Sequence, residues 1–595
     1  MTTQDTRPLL APRPNIFRAL RTRMANSPVF STSLAASGPR MKIAAMGFLL
    51  LYGVIAGRLA WLAINPHLST TRRAAAEAVA AARPDILDRN GEILATDVKT
   101  MSVFAEPKKL IDKDEATELL TAALPDVDAS ELRQRLASPK KGFVWVKREV
   151  TPHQREEVFH LGLPGVGLIA ENKRVYPNGP IGAHVLGFAN VDNQGISGIE
   201  KFIDGQGFAD LHTAGFNMSR DELQPIQLSL DIRATHALRD ELAKGVEHFK
   251  AKAGAAAILD VTTGEIIAMA SLPDYDPNKP TDALDPLHIN RMNVGVYEMG
   301  STFKALTIAM ALDSGKVNLN SRLDARGALS FGRFKIHDFH AQNRALTVPE
   351  VFTYSSNIGT ARMAMGQGVE KHKAFLHKMG QLTRMRTELP ESAEPIVPRQ
   401  WGELNTMTIA FGHGLAVAPL QAMMAVGALM NGGYLITPTF LKRGEEEAKR
   451  DAPQVVKTET SEAMRYLMRL NAEIGTARKV DVAGYFVGGK TGTAEKVIHG
   501  HYDKNRLFTT FMATLPCDKP KYLFLTIMDE PQGLPETGGY ATAAYNSGYV
   551  TGQIIERVGP ILGVAPRPAP ATPFPLLAKA GFGFANQPAH GGGGH

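Results

Sequence analysis

A serine and a lysine three residues apart, Ser301 and Lys304, lie in the stretch VYEMGSTFKALTIAMALDSG, residues 296–315. Such a pair could do nucleophilic chemistry, with a hydroxyl to attack and, one helical turn on, an amine to take its proton. Phe303, Leu306, Thr307, Met310 and Ala311 recur at helical spacing and Gly315 supplies a stop, so the lysine sits inside an apolar pattern. A surface lysine whose stem lies along apolar neighbours would look the same. A second S-x-x-K, Ser138–Lys141, falls in the polar run ASPKKGF and reads as a loop. The spacing alone does not decide.

Two other groupings carry chemistry. Ser355-Ser356-Asn357 follows PEVFTY; such short polar residues also cap helices. In GGKTGTAEK, Lys490, Thr491, Gly492 and Thr493 end a strand-like run. Gly488, Gly489 and Gly492 strip it of side chains, so a ligand or another backbone can approach and Lys490 can face an anion. The alternative is an exposed strand end with a solvated lysine. His337 and His340 in HDFH, and His413 in FGHGLA, raise the question of metal, but no H-E-x-x-H or cysteine pair supports them, and none is expected. Gly412 and Gly414 lack the third glycine of a nucleotide loop.

The chain must then supply elements to position these groups. At 595 residues it is long enough for several domains, and its net charge of +7 raises nucleic acid as a partner. The location of the charge argues otherwise. Residues 1–42 hold Arg7, Arg13, Arg18, Arg21, Arg23, Arg40 and Lys42 against Asp5, beside the apolar run Ile43 to Ile64. That run is long enough to span a bilayer, with residues 1–42 as a cytoplasmic basic tail and everything after Asn65 outside the cytoplasm. The single cysteine, Cys517, excludes an intramolecular disulfide. TTRRAAAEAVAAA reads as a helical stalk, and Asn90-Gly91 as a hairpin turn. Residues 65–225 are charge-rich and short-segmented and hold no catalytic grouping. From 226 to 560 the pattern is strands at both ends (AGAAAILDVTTGEIIAMAS; YFVGGKTGTAEK, LFTTFMATLP, KYLFLTIMDEP) around helices at 302–314, 349–364, 369–379, 405–428 and 461–474, closed by a helix in GGYATAAYNSGYVTGQIIERVG. This predicts one α/β domain whose mostly antiparallel sheet is completed by its C-terminal strands. Residues 561–595, rich in proline and glycine, are expected to be disordered.

S-x-x-K, then S-x-N about fifty residues on, then K-T-G on a late strand, is the motif order of the serine acyl-transferases that recognise D-alanyl-D-alanine. The chain resembles a class B penicillin-binding protein. The likeness runs over roughly residues 43–556: YEMGSTFK resembles the family's Y-E-P-G-S-T-F-K with Met299 for proline, and DRNGEILA, RVYPNGPIGAHVLGF, GISGIEK, TTGEIIAMAS, PDYDPN and FGHGLAVAPLQ resemble further signatures. GRLAWLAI, and PQ after the last strand, favour the division-specific, FtsI-type branch; the elongation-specific branch is the alternative. The resemblance implies an α/β (α+β) penicillin-binding transpeptidase fold with a central sheet flanked by helices, on an elongated non-catalytic pedestal and a transmembrane helix.

It also implies residue roles: Ser301 as nucleophile, Lys304 as its base, Ser355 as proton relay to the leaving D-alanine, and Asn357 bonded to the donor peptide and to Lys304. Backbone N–H groups of Ser301 and Thr493 would form the oxyanion hole, with Lys490, Thr491 and Thr493 on the substrate carboxylate. Ser356 stands where many relatives have aspartate. The implied reaction cross-links stem pentapeptides in the periplasm at the septum, is blocked by β-lactams, uses no metal or cofactor, and depends on a glycan polymerase of the FtsW kind. A β-lactam sensor, a scaffold and a hydrolase remain open as other classes.

Overall fold

The computed structural model describes residues 39–64, 82–137, 142–208, 223–498, 500–568, 570 and 573–579. Ser138–Lys141 and most of the expected stalk lie outside them. The chain divides into two units, 1–75 and 76–595. In the first, helix α1 (Pro39–Ile64) covers the expected span. Its side chains are described from 46 to 59, where Met46, Phe48, Leu49, Leu50 and Tyr52 are exposed. Among the described residues no helix is long and apolar enough to cross a membrane.

The second unit opens with a five-stranded sheet. Strand β1 (Ile86–Leu87) turns at Asn90-Gly91, as the sequence predicts, into the long β2 (Ile93–Ala105). Asp88 shapes the turn by accepting the N–H groups of Asn90 and Glu92 at 2.7 and 2.9 Å. Helices α2 (Lys113–Ala123) and α3 (Ala129–Ala137) follow. Strands β3 (Val144–Val150) and β4 (Val166–Val175) both pair antiparallel with β2, and β5 (Ile226–Gln227) adds parallel to β1. Buried charge ties this region together: Arg83 and Arg174 share Glu200 at 2.8 and 2.7 Å, and Arg174 also reaches Asp97 at 3.0 Å. Taking any one of these charges away would strand the others in a low-dielectric site.

Helix α4 (Ile232–His248), N-capped by Asp231, leads into β6 (Ala253–Asp260) and β7 (Ile266–Leu272). A 3₁₀ turn, Gly300–Phe303, runs into α5 (Lys304–Asp313). There follow α6 (Val348–Thr353), α7 (Asn357–Gln367), α8 (Val369–Lys378), α9 (Glu403–Ile409), α10 (Pro419–Met430) and α11 (Thr458–Ile474). Strands β8 (Gly488–Ile498), β9 (His501–Leu515) and β10 (Tyr522–Asp529) complete the sheet in the order β8-β9-β10-β6-β7, antiparallel throughout. The mostly antiparallel sheet read from the sequence is what forms.

The period of two along the strands feeds two cores. Ala255, Ala257 and Leu259 of β6, with Leu523, Leu525 and Ile527 of β10, pack with α5 and α10. Ala256 and Ile258, with Phe524 and Met528, pack with α4 and α12 (Ser547–Val558), the expected closing helix.

Three expectations need correction. The helix predicted over 349–364 is broken at 354–356, where Ser355 takes φ +57° and Ser356 caps α7. That over 405–428 is broken at 410–418, where Gly412 and Gly414 take φ +89° and +85°. Apolar periodicity runs through both breaks, but left-handed backbone ends a helix. Parts of the tail expected to be disordered pack on the body: Arg567 pairs with Asp518 at 2.6 Å, and α13 (Pro575–Lys579) follows the buried Phe574. That ring meets Tyr466 and Phe486 at centroid distances of 5.9 and 6.5 Å. Leu577 N–H donates to Glu462 at 2.8 Å. One buried aromatic outweighs the composition around it. Phe574→Ala should cost about 3 kcal/mol of stability, read by thermal denaturation of the full chain; an unchanged midpoint would show that the tail does not dock.

Candidate active site

The turn that carries Ser301 is built by close backbone approaches. Gly300 takes φ +54° and donates its N–H to Gly412 O at 3.2 Å. A Cβ on Gly412 would sit 2.0 Å from Gly300 O, and one on Gly492 would sit 2.7 Å from Met299 O. Glycines at these points let the turn lie between the 411–414 loop and strand β8. Gly412, unexplained as a nucleotide loop, is explained as a seat for the turn. Ser301 stands half-buried in the 3₁₀ segment, and Lys304 opens α5 completely buried.

Lys304 is therefore no surface lysine. Its Nζ donates to the carbonyl of Ser355 and, at 3.1 Å, to Ser355 Oγ. Lys490 is also buried, at 1% exposure, which removes the solvated-strand-end alternative. Its Nζ donates to the same Ser355 Oγ at 3.0 Å and to Thr491 O at 3.0 Å. A hydroxyl oxygen has two acceptor sites, and the two lysines occupy both, so the Ser355 proton is left to donate elsewhere. The positive φ at Ser355 is backbone strain at the residue that both lysines meet.

Burial pushes the Lys304 amine well below the usual lysine range; the charge of Lys490 pushes the same way and that of Asp338 opposes it. Burial brings Lys490 down to about 7. Two adjacent buried amines cannot both hold a proton cheaply, so their titrations are shared.

On β8, Thr491 Oγ1 donates to Thr476 Oγ1 at 2.9 Å, and Thr493 Oγ1 accepts the N–H of Ala543 at 3.2 Å. Gly492 stands between them in register with Thr510 of β9. Asn357 departs from the expectation: its Nδ2 donates to His337 O at 2.9 Å, not to Lys304. It opens α7, where the 337–340 loop takes up its amide.

The structure adds groups that the sequence reading missed. Asp338, the acid inside HDFH, accepts Ser356 Oγ at 2.6 Å and Ile358 N–H at 2.9 Å. The flanking histidines drew attention there; the aspartate between them makes the contacts. Glu298 accepts Gly414 N–H at 2.8 Å and the Tyr502 hydroxyl at 3.2 Å, joining the segment before Ser301 to the β8–β9 hairpin. His413 stacks on Tyr502 at 5.5 Å and is pushed down to about 4 by burial and the charge of Lys304, so it is neutral at pH 7. Among the described residues no three His, Cys, Asp or Glu side chains are grouped to hold a metal.

Comparison with known proteins gives the family. Residues 254–555 match the penicillin binding protein transpeptidase domain, and 78–206 the penicillin-binding protein dimerisation domain. The chain belongs to the class B penicillin-binding proteins. It is 38% identical over 498 residues to the probable peptidoglycan D,D-transpeptidase FtsI of Caulobacter vibrioides, covering 82% of this chain and 83% of that one. It is 32% identical over 523 residues to stage V sporulation protein D of Bacillus subtilis, covering 82% and 79%. To the peptidoglycan D,D-transpeptidase FtsI of Escherichia coli it is 29% identical over 530 residues, covering 83% and 88%. Within this family member the transpeptidase match holds Ser301, Lys304, Ser355 and Lys490, and the dimerisation match holds the Arg83–Arg174–Glu200 network.

The burial of Lys490 has a pH signature. Between about 7, its folded value, and 10.5, its ordinary value, the unfolded chain binds a proton that the folded chain does not. Stability should rise with pH through that window. Lys490→Met removes one such site, so its melting temperature should vary less between pH 7 and 10.5 than that of the wild type; an equal slope would mean that Lys490 is not buried as a titrating amine.

Proposed function

We propose that this chain is a peptidoglycan D,D-transpeptidase of the division septum, working through an acyl-enzyme on Ser301. The observation that carries the reading is the Ser355 hydroxyl held by both Lys304 and Lys490 beside the nucleophile turn.

In this mechanism neutral Lys304 takes the Ser301 proton as Oγ attacks the carbonyl of the penultimate D-alanine. Negative charge on that oxygen is met by the N–H groups of Ser301 and Thr493. The Ser355 proton passes to the departing D-alanine nitrogen, and the proton on Lys304 replaces it. An ester remains on Ser301. An amine from a neighbouring stem then attacks the ester, gives up its proton through the same groups, and leaves as the cross-linked peptide. The terminal carboxylate of the donor is held beside Lys490, Thr491 and Thr493, while Asn357 meets the peptide from the α7 side.

A β-lactam enters the first half of this cycle. Its amide is cyclic, so the amine stays tethered and the ester persists. Ser301→Ala should abolish the adduct, and Lys304→Ala should slow acylation by about a thousandfold. Ser138→Ala and Lys141→Ala, at the second S-x-x-K, should change nothing. Mass spectrometry of the peptide from Met292 to Lys304 reads the result; an adduct that survives Ser301→Ala would overturn the mechanism.

The septal assignment is supported by the FtsI names among the relatives. The membrane assignment is supported by the basic residues of 1–42 beside the apolar run 43–64, and on this reading residues 65–225 and the catalytic domain face the periplasm. Glycan polymerisation falls to a separate partner of the FtsW kind. A reporter active only outside the cytoplasm should work when fused after Pro560 and fail when fused at residue 30; the reverse would sink the topology.

A further inference from the structure

The middle position of the S-S-N motif carries no charge in this chain, yet a carboxylate stands against it. Asp338 comes from the loop between the short ribbon strand ending at Ile336 and the ribbon at 345–347. One oxygen accepts Ser356 Oγ at 2.6 Å and the other accepts Ile358 N–H at 2.9 Å. Ser356 Oγ in turn accepts Gly359 N–H at 3.0 Å. The same loop accepts the Asn357 amide through His337 O at 2.9 Å. The first turn of α7 is thus held from outside by three groups, two of them on Asp338.

The residue before this turn is Ser355, with its unfavourable φ of +57°. Nothing in Ser355 itself favours that backbone, and it lies between α6 and the pinned turn of α7. The conformation puts its carbonyl on Lys304 and its hydroxyl between Lys304 and Lys490. The charged or titratable groups around Lys304 are Lys490 from β8, His413 from the 411–414 loop and Asp338 from its own loop. His413 is neutral at pH 7, so Asp338 supplies the negative charge in this set.

We propose that Asp338 is a positioning residue for acyl transfer: it pins the S-S-N turn so that Ser355 meets both lysines, and it sets a carboxylate charge beside Lys304. The inference rests on the reading of Lys304 as the base. An uncharged serine at position 356 is compatible with the site because the acid is delivered from another segment. The two halves of the role separate chemically. Asparagine at 338 keeps an oxygen for Ile358 N–H and offers an N–H to Ser356 Oγ, so it preserves the pin and removes the charge. Alanine removes both.

The sign of the charge effect follows from its direction on Lys304. Asp338 favours the protonated amine, and the base must be neutral, so removing the charge moves the rising limb of acylation to lower pH. Because the two lysines titrate together, that limb belongs to the pair.

The test is the rate of acylation by a fluorescent penicillin, between about pH 5 and pH 10, on the full chain in detergent. Asp338→Asn should move the rising limb down by about half a pH unit or more, with a plateau within about twofold of wild type. Asp338→Ala should show the same displacement and a plateau about tenfold lower. A limb that stays at the wild-type pH in Asp338→Asn would overturn the charge role, since a merely structural cap moves a plateau and not a limb. An Asp338→Ala plateau equal to wild type would overturn the pinning role. If Asp338→Ala fails to fold, Ser356→Ala takes its place for the pin, with the same plateau loss expected and no loss overturning it. Lys304→Ala is run alongside: wild-type rates there would remove the reading of Lys304 itself, whereas a large loss there with an unmoved Asp338→Asn limb would remove only this inference.

Discussion

The site depends on one oxygen. Ser355 Oγ accepts hydrogen bonds from Lys304 at 3.1 Å and Lys490 at 3.0 Å, both lysines being almost entirely buried. Two ammonium groups at such distances from one atom, away from water, repel each other strongly, and the relief is to drop a proton. A group that is a fixed cation on a surface is held well below its usual range in this pocket. The rest of the catalytic domain can be read as the scaffold that brings three segments, far apart in sequence, to that oxygen.

Each segment arrives by a different device. Lys304 comes on a helix whose start is held by glycines at 300 and 412, where backbone meets backbone without room for a Cβ. Ser355 comes on a break between α6 and α7, kept in a left-handed conformation by Asp338 and Ser356. Lys490 comes on the edge strand of a five-stranded antiparallel sheet, whose order places β8 outermost. An edge strand has one ladder of N–H and C=O groups unpaired by the sheet. The strand also approaches the 300–303 turn, where a Cβ on Gly492 would meet Met299 O.

Much of the site was legible in the sequence because its groups are few and chemically distinctive. Ser301, Lys304, Ser355 and Lys490 are named through the resemblance that their motif order carries, and the structure joins the last three at one hydroxyl while Ser301 lies on the turn leading into the helix of Lys304. The sheet was legible because strands such as AGAAAILD and YLFLTIMD are short apolar runs bounded by turns. The two broken helices were not, since periodicity continues across 354–356 and 410–418 while backbone geometry changes. The docked tail was misread for a related reason: composition averages over residues, and the burial of Phe574 is a property of one.

What the sequence determined by itself is the inventory: a hydroxyl and amine one helical turn apart, a second serine, a late lysine on a glycine-rich strand, and a basic tail beside an apolar run. Those are local facts, set by residue type and spacing. Only the tertiary structure decided that Lys304 and Lys490 are buried, that they share one acceptor, that Asn357 turns to the 337–340 loop, and that Asp338 stands behind Ser356. These are contacts between residues from 18 to 135 positions apart. Desolvation and charge act through space, not along the chain, so a lysine's basicity is written in its neighbours and only the fold chooses them.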